Sequence, residues 1–115
     1  MADNFQGTDQ ILLQPFSNDV PYSFAFAACS SAIANDGSLP YGTTISSHAV
    51  VAKDAAGTVC TDELIESTSE SDDTVTVNLD YPSDTGAGRY SLVFQLTLSS
   101  GVKLEFEFTR IKAEA

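Results

Sequence analysis

Tryptophan is missing from this 115-residue chain, histidine occurs once, and lysine and arginine together number five. Each scarcity closes off a class of function. A general nucleic-acid binder needs a basic surface to neutralise phosphates, and five scattered cations among 16 acidic residues, a formal net charge of -11, do not supply one. The same balance disfavours an anionic membrane surface, so neither nucleic acid nor membrane is an expected partner. The single histidine, His48, removes most zinc and iron site designs. A catalytic triad would also need a nucleophile and an orienting acid in register with it, and serine is too abundant here for the pattern to single one out. His48 reads as an ordinary exposed strand residue and the chain as non-enzymatic, with no cofactor implied.

Long apolar runs are missing too. No stretch approaches the roughly 18 apolar residues of a spanning helix. The N-terminal MADNFQGTDQILLQPF has neither the basic leader nor the long apolar core of a signal peptide, which makes synthesis in a cytoplasm the expectation. Cysteine is confined to Cys29 and Cys60, without a CxxC pair or a histidine partner, a poor metal or redox signature. Two small semi-buried thiols are expected in a reducing compartment, with a disulfide as the minority alternative.

What is present is alternation. Hydrophobic residues make up 43% of the chain, enough for a real core in one domain of this length. Tyr90, Leu92, Phe94, Leu96 and Leu98 fall on alternate positions, and after Ser99-Ser100-Gly101 the pattern resumes with Val102, Leu104, Phe106 and Phe108. Two strands joined by a tight turn follow, each with one apolar face. Tyr22, Phe24, Phe26 and Ala28 predict another strand, and Val75, Val77, Leu79 and Tyr81 one more. Residues 43 to 53 predict a strand whose Ile45, Ala49 and Val51 share a face, and Thr58-Val59-Cys60 a short return after the turn at 54 to 57. Residues 30 to 42, rich in Ser, Gly, Asn and Pro, read as a connection with a tight turn at Asn35-Asp36-Gly37. Residues 61 to 73, with six acidic side chains around Leu64 and Ile65, read as an exposed loop or a short edge element.

Near the N-terminus, Ile11, Leu12, Leu13 and Phe16 cluster without alternating. The segment is either an edge strand interrupted by Pro15 or an arm that lies on another surface, and with Phe5 these residues are the candidates for contact with neighbouring subunits. The domain division is accordingly an arm or edge strand over residues 1–18 and one sandwich domain over 19–115.

Other chemistry is weak. Glu105 and Glu107 fall opposite the apolar positions and read as a charged outer face that discourages unwanted edge pairing. Asp62, Glu63, Glu66, Glu70, Asp72 and Asp73 are close in sequence, but their spacing lacks the order of a calcium loop, and a solvated acidic segment is the simpler reading. Gly86-x-Gly88 precedes a strand instead of a helix and so reads as a turn, not a phosphate loop. No metal site is expected.

Six or seven strands at even spacing, with no amphipathic helix, predict an all-β fold: a two-sheet antiparallel β-sandwich with Greek-key connections. Tyr90, after the glycine corner Gly86-Ala87-Gly88 and at the start of the penultimate strand, sits where immunoglobulin-like sandwiches place a tyrosine that ties the corner to nearby backbone. An Ig-like sandwich is therefore expected, with a small jelly roll or open barrel as the alternative. The aromatic strand with Tyr22, Phe24 and Phe26, the stretch TVTVNLDY, and the closing Gly86, Gly88, Tyr90, Leu92, Leu96, Ser100-Gly101 and LEFEF pattern resemble the small Ig-like virion proteins of tailed bacteriophages over about residues 20 to 111. The resemblance implies a structural role, in capsid decoration or as a head–tail or tail-fibre adaptor. It implies other virion proteins (capsid, tail or fibre subunits) as partners, homo-oligomeric copies in the particle, and assembly in a bacterial host cytoplasm. A surface-adhesion or carbohydrate-binding module is the competing reading, with Tyr41 and Tyr81 as its loop aromatics.

Overall fold

A computed structural model describes residues 10–114. Seven strands and one helical turn follow in chain order: β1 (Ile11–Leu13), β2 (Val20–Ala25), β3 (Ile45–Asp54), α1 (Thr61–Leu64), β4 (Ile65–Ser71), β5 (Thr74–Leu79), β6 (Gly88–Leu98) and β7 (Lys103–Ala113). They form a four-stranded sheet, β1-β7-β6-β3, and a three-stranded sheet, β2-β5-β4. Their apolar faces pack together as a sandwich. Consecutive strands β2 and β3 lie in different sheets, as do β5 and β6, so the chain crosses between layers in the manner of an Ig-like Greek key.

Alternation builds the layers. In β5, Val75, Val77 and Leu79 are fully buried while Thr74, Thr76 and Asn78 turn outward, and β2 sets Phe24 beside Val75. Across the gap, Phe94 and Phe108 supply the facing layer. Phe24 lies 4.8 Å from Phe94 and 5.1 Å from Phe108 between ring centroids, and Phe26 lies 5.3 Å from Phe94 and 5.1 Å from Phe106. Tilted and edge-on contacts of this kind add to the burial of large rings and lock the two sheets in register. The β6–β7 turn has Gly101 at φ 92, and its ends are tied by Leu98 N–H donating to the Val102 carbonyl at 2.8 Å.

Three local expectations are corrected, and of two alternatives for a fourth segment one is formed. The sandwich is not wholly antiparallel, because β1 runs parallel to β7 with Ile11 opposite Ile111. Residues 61 to 73 take the edge-element alternative over the loop, forming the largely exposed seven-residue edge strand β4 after α1, with Leu64 fully buried. In β3 the register shifts between Ile45 and Ser47, so Ile45 and Ala52 face the core while Ala49 is exposed. A bulge adds a residue and exchanges the faces, which strict alternation cannot register. Thr58-Val59-Cys60 contributes only an isolated bridge between Lys53 and Val59, not a strand.

A second bulge acts in the closing hairpin. Between the pairs Tyr90–Ile111 and Leu92–Phe108, β7 advances three residues against two on β6. The buried set on β7 therefore passes from the even position of Phe108 to Ile111 and Ala113, and Val102 lies outside at 45% exposure.

Candidate functional site

The corner between β5 and β6 is closely hydrogen-bonded. Tyr90, 2% exposed, donates its hydroxyl to the Gly86 carbonyl at 2.6 Å, four residues upstream. Burial first, then the nearby Cys60 thiol and Glu63 carboxylate, push that hydroxyl up to about 12. It stays protonated and remains a donor. Gly86 at φ 86 and Gly88 at φ 151 occupy backbone conformations that side chains disfavour, and Gly86 N–H closes the turn on the Pro82 carbonyl at 2.7 Å. The tyrosine corner expected from Gly86, Gly88 and Tyr90 is thus formed.

Glu63 completes it from another element. Its carboxylate, placed by α1, accepts from the backbone N–H of Asp84 at 3.1 Å and of Thr85 at 2.9 Å, and from the Thr85 hydroxyl at 2.5 Å. The Thr85 hydroxyl and backbone bonds hold this carboxylate below the ordinary range. A pairing across 22 residues leaves no periodic trace, so Glu63 read only as one acid among several. The other acids of that stretch are dispersed as well. Glu70 meets His48, Asp73 accepts from Thr74 at 3.1 Å, and among the described residues no group of three His, Cys, Asp or Glu side chains is placed to hold a metal ion.

His48 is not an exposed strand residue. Its side chain is 14% exposed, with Nδ1 2.5 Å from Glu70 Oε1 and Nε2 2.8 Å from Thr68 Oγ1. Because β3 is an edge of one sheet and β4 an edge of the other, this trio clasps the two layers together along one side. No serine or cysteine belongs to it, and its geometry is that of a structural link.

The N-terminal candidates divide. Ile11 at 6% and Leu13 at 0% exposure belong to the domain's own core, paired with β7, and are withdrawn as contact residues. Leu12 is 45% and Phe16 99% exposed. Phe5 lies outside the described residues. Phe16 projects from a turn fixed by Ser17 N–H on the Gln14 carbonyl at 2.7 Å and Gln14 N–H on Ser17 Oγ at 3.0 Å. It borders a shallow depression of about 420 Å³ lined by Pro15, Ser17, Asn18, Tyr81 and Asp84. The surface can take an apolar contact with a polar rim.

The loop aromatics of the adhesion reading are separated. Tyr81 follows β5 beside the Phe16 depression, whereas Tyr41 precedes β3 at the end where Ile45 N–H bonds the Asp72 carbonyl. They lie at opposite ends of the sandwich and form no shared platform. Cys29 is half-buried and Cys60 buried, both as free thiols, and burial pushes the Cys60 thiol up to about 11, well away from a reactive thiolate. No helix among the described residues is long and apolar enough to cross a membrane. No protein-family model matches this chain, and no curated protein matches it.

Proposed function

We propose that this chain is a non-enzymatic structural protein of a bacteriophage virion, a capsid decoration protein or a head–tail or tail-fibre adaptor, acting through contacts with capsid, tail or fibre subunits. The observation that carries the reading is Phe16, a large apolar side chain 99% exposed on a hydrogen-bonded turn, with Leu12 outward on the neighbouring edge strand. Large apolar groups held rigidly in water at the margin of a stable sandwich are what a subunit contact uses as anchors. The resemblance to Ig-like virion proteins supplies the setting, and the free thiols of half-buried Cys29 and buried Cys60 suit folding where thiols stay reduced.

The test must spare Ile11 and Leu13, since deleting residues 1 to 16 would remove them from the core. A Leu12→Ser/Phe16→Ser double variant leaves both in place. We expect its melting temperature to match that of the parent while its incorporation into particles, measured by immunogold labelling of purified virions, falls at least about tenfold, the loss expected of a hot-spot residue. Absence of the unmodified chain from purified particles, or undiminished incorporation of the double variant, would overturn the reading.

A further inference from the structure

All five lysine and arginine residues of the chain, Lys53, Arg89, Lys103, Arg110 and Lys112, lie on β3, β6 and β7. Within that sheet the strands carry only the carboxylates Asp54, Glu105 and Glu107; of the other eleven described carboxylates, Glu114 directly follows β7 beside Lys112 and the remaining ten lie in other elements and loops. In β2, β4 and β5 there is no cation at all. A chain of net charge -11 therefore presents one sheet on which positive side chains outnumber negative ones.

Register fixes where those cations point. Tyr90, Leu92 and Ile111 face the core, so Arg89 and its cross-strand neighbour Lys112 face outward, as does Lys53 opposite Ser91. With Arg110 in the β7 bulge, these residues gather at the end of the sheet where β6 begins. A groove of about 460 Å³ runs there, lined by the cations Lys53 and Arg89 and the carboxylates Asp54 and Glu107, together with Ser91 and Thr109, while Arg110 and Lys112 lie outside its lining. Apolar residues flank it: Leu12 is opposite Lys112 and 45% exposed, and Val59 is bridged to Lys53 and 60% exposed. Among the described residues Lys53 and Arg89 make no ion pair, while Lys112 bonds Glu114 at 3.0 Å.

The other sheet offers the complement. Where β2 and β4 begin and β5 ends, Asp19, Glu66 and Asp80 crowd together: Asp19 N–H bonds Asp80 Oδ1 at 2.6 Å, and the neighbouring Asp80 carboxyl holds the Glu66 carboxyl above its ordinary range. Like charges share a site without a cation. A positive surface brought against them would relieve that repulsion.

We propose that the cationic end of the β1-β7-β6-β3 face docks the acidic side of the β2-β5-β4 sheet of a second copy of this chain. The two surfaces lie on opposite layers of one sandwich, so a single neighbour cannot engage both at once. The contact is heterologous, and copies add in a ring or an open row instead of closing as a two-fold dimer. This goes beyond the virion role, because association of purified copies holds or fails without any particle.

The test is sedimentation velocity on the purified full chain over a concentration series. A Lys53→Glu/Arg89→Glu variant and a Glu66→Lys variant are run alone and mixed, with circular dichroism melts confirming that each is folded. We expect the parent to exceed monomer mass increasingly with concentration, and each reversal to weaken association by about a hundredfold, since like charges then face each other. Mixing the two variants should give a one-to-one complex, because each retains the surface that the other has lost. Ionic strength near 1 M, where the screening length is about 3 Å, should dissociate the assembly. A parent that stays monomeric throughout, a parent mass that stops at the dimer, reversal variants that associate like the parent, or a mixture that stays monomeric would each overturn the proposal.

Discussion

Two side chains, Tyr90 and Glu63, hold the β5–β6 corner, and each can be removed with little change of volume. Tyr90→Phe deletes the 2.6 Å bond and leaves the Gly86 carbonyl without that donor while keeping the ring in the core. We expect a loss of about 1 to 2 kcal/mol in equilibrium urea unfolding, the size of one buried hydrogen bond with an orphaned partner. Glu63 makes a pH-dependent contribution. Its carboxyl is held below the ordinary range in the folded chain, so the stability it adds is present above the unfolded value and is lost as pH falls through the folded one. Glu66 has the opposite sign, since a raised folded value makes protonation favour the native state as pH falls. A Glu63→Gln variant should therefore lose less stability than the parent on acidification below the ordinary carboxylate range, as measured by urea midpoints over a pH series. An unchanged acid limb would show that the bonds to Asp84 and Thr85 add no net stability.

At the scale of elements, the connection between β2 and β3 shows how a loop can be fixed by backbone contact. After β2 the chain doubles back so that Ser38 and Leu39 N–H both bond the Ala27 carbonyl, at 2.7 and 3.2 Å, and Cys29 N–H bonds the Leu39 carbonyl at 2.8 Å. Leu39 is thereby buried to 1% exposure. Gly37 lies so close to this strand extension that a Cβ there would meet Ala27 O and Ala28 C at 2.6 Å. Backbone cannot rotate away as a side chain can, so Gly37→Ala should cost about 1 to 3 kcal/mol, read from the shift in thermal midpoint. No shift would mean that the connection relaxes freely and that Leu39 is not held by it. The sequence marked this stretch as a connection but put its tight turn at Asn35-Asp36-Gly37, whereas the turn falls at Ala32-Ile33 with Ala34 N–H on the Ser31 carbonyl at 3.2 Å. Nor was Leu39 legible as core, because a lone apolar residue in a polar stretch has no period. The hairpin of β6 and β7 and the half-buried strand β5 were legible for the opposite reason: each alternates over several residues with one face buried. Tyr90 was legible because the corner needs glycines and a tyrosine at a fixed offset. Where bulges exchange faces, in β3 and β7, parity misled. Where the fold rests on pairing between residues far apart in sequence, as for His48 with Glu70 and for Glu63 with Thr85, no local signal existed.

The whole molecule measures 46 × 24 × 23 Å, so its carboxylates, the cationic face apart, repel one another over distances comparable with the screening length of about 10 Å at 0.1 M salt. The cations lie together on one sheet, remote from Asp19, Glu66 and Asp80 on the other, and Lys112 with Glu114 is a half-exposed pair of the kind that contributes little. Self-repulsion of the compact state is therefore a standing cost that unfolding relieves by moving the charges apart. Raising ionic strength from about 0.01 to 0.15 M shortens the screening length from about 30 to 8 Å and should raise the melting temperature of the dilute chain. Glu66→Gln should raise it at low salt as well, and its advantage should shrink as salt is added, because the repulsion it removes is then screened in the parent. Differential scanning calorimetry at concentrations where sedimentation finds only monomer keeps this effect separate from association. A melting temperature that falls with added salt would mean that attraction between the cationic sheet and its surroundings, not repulsion among the carboxylates, dominates the electrostatics of the folded chain.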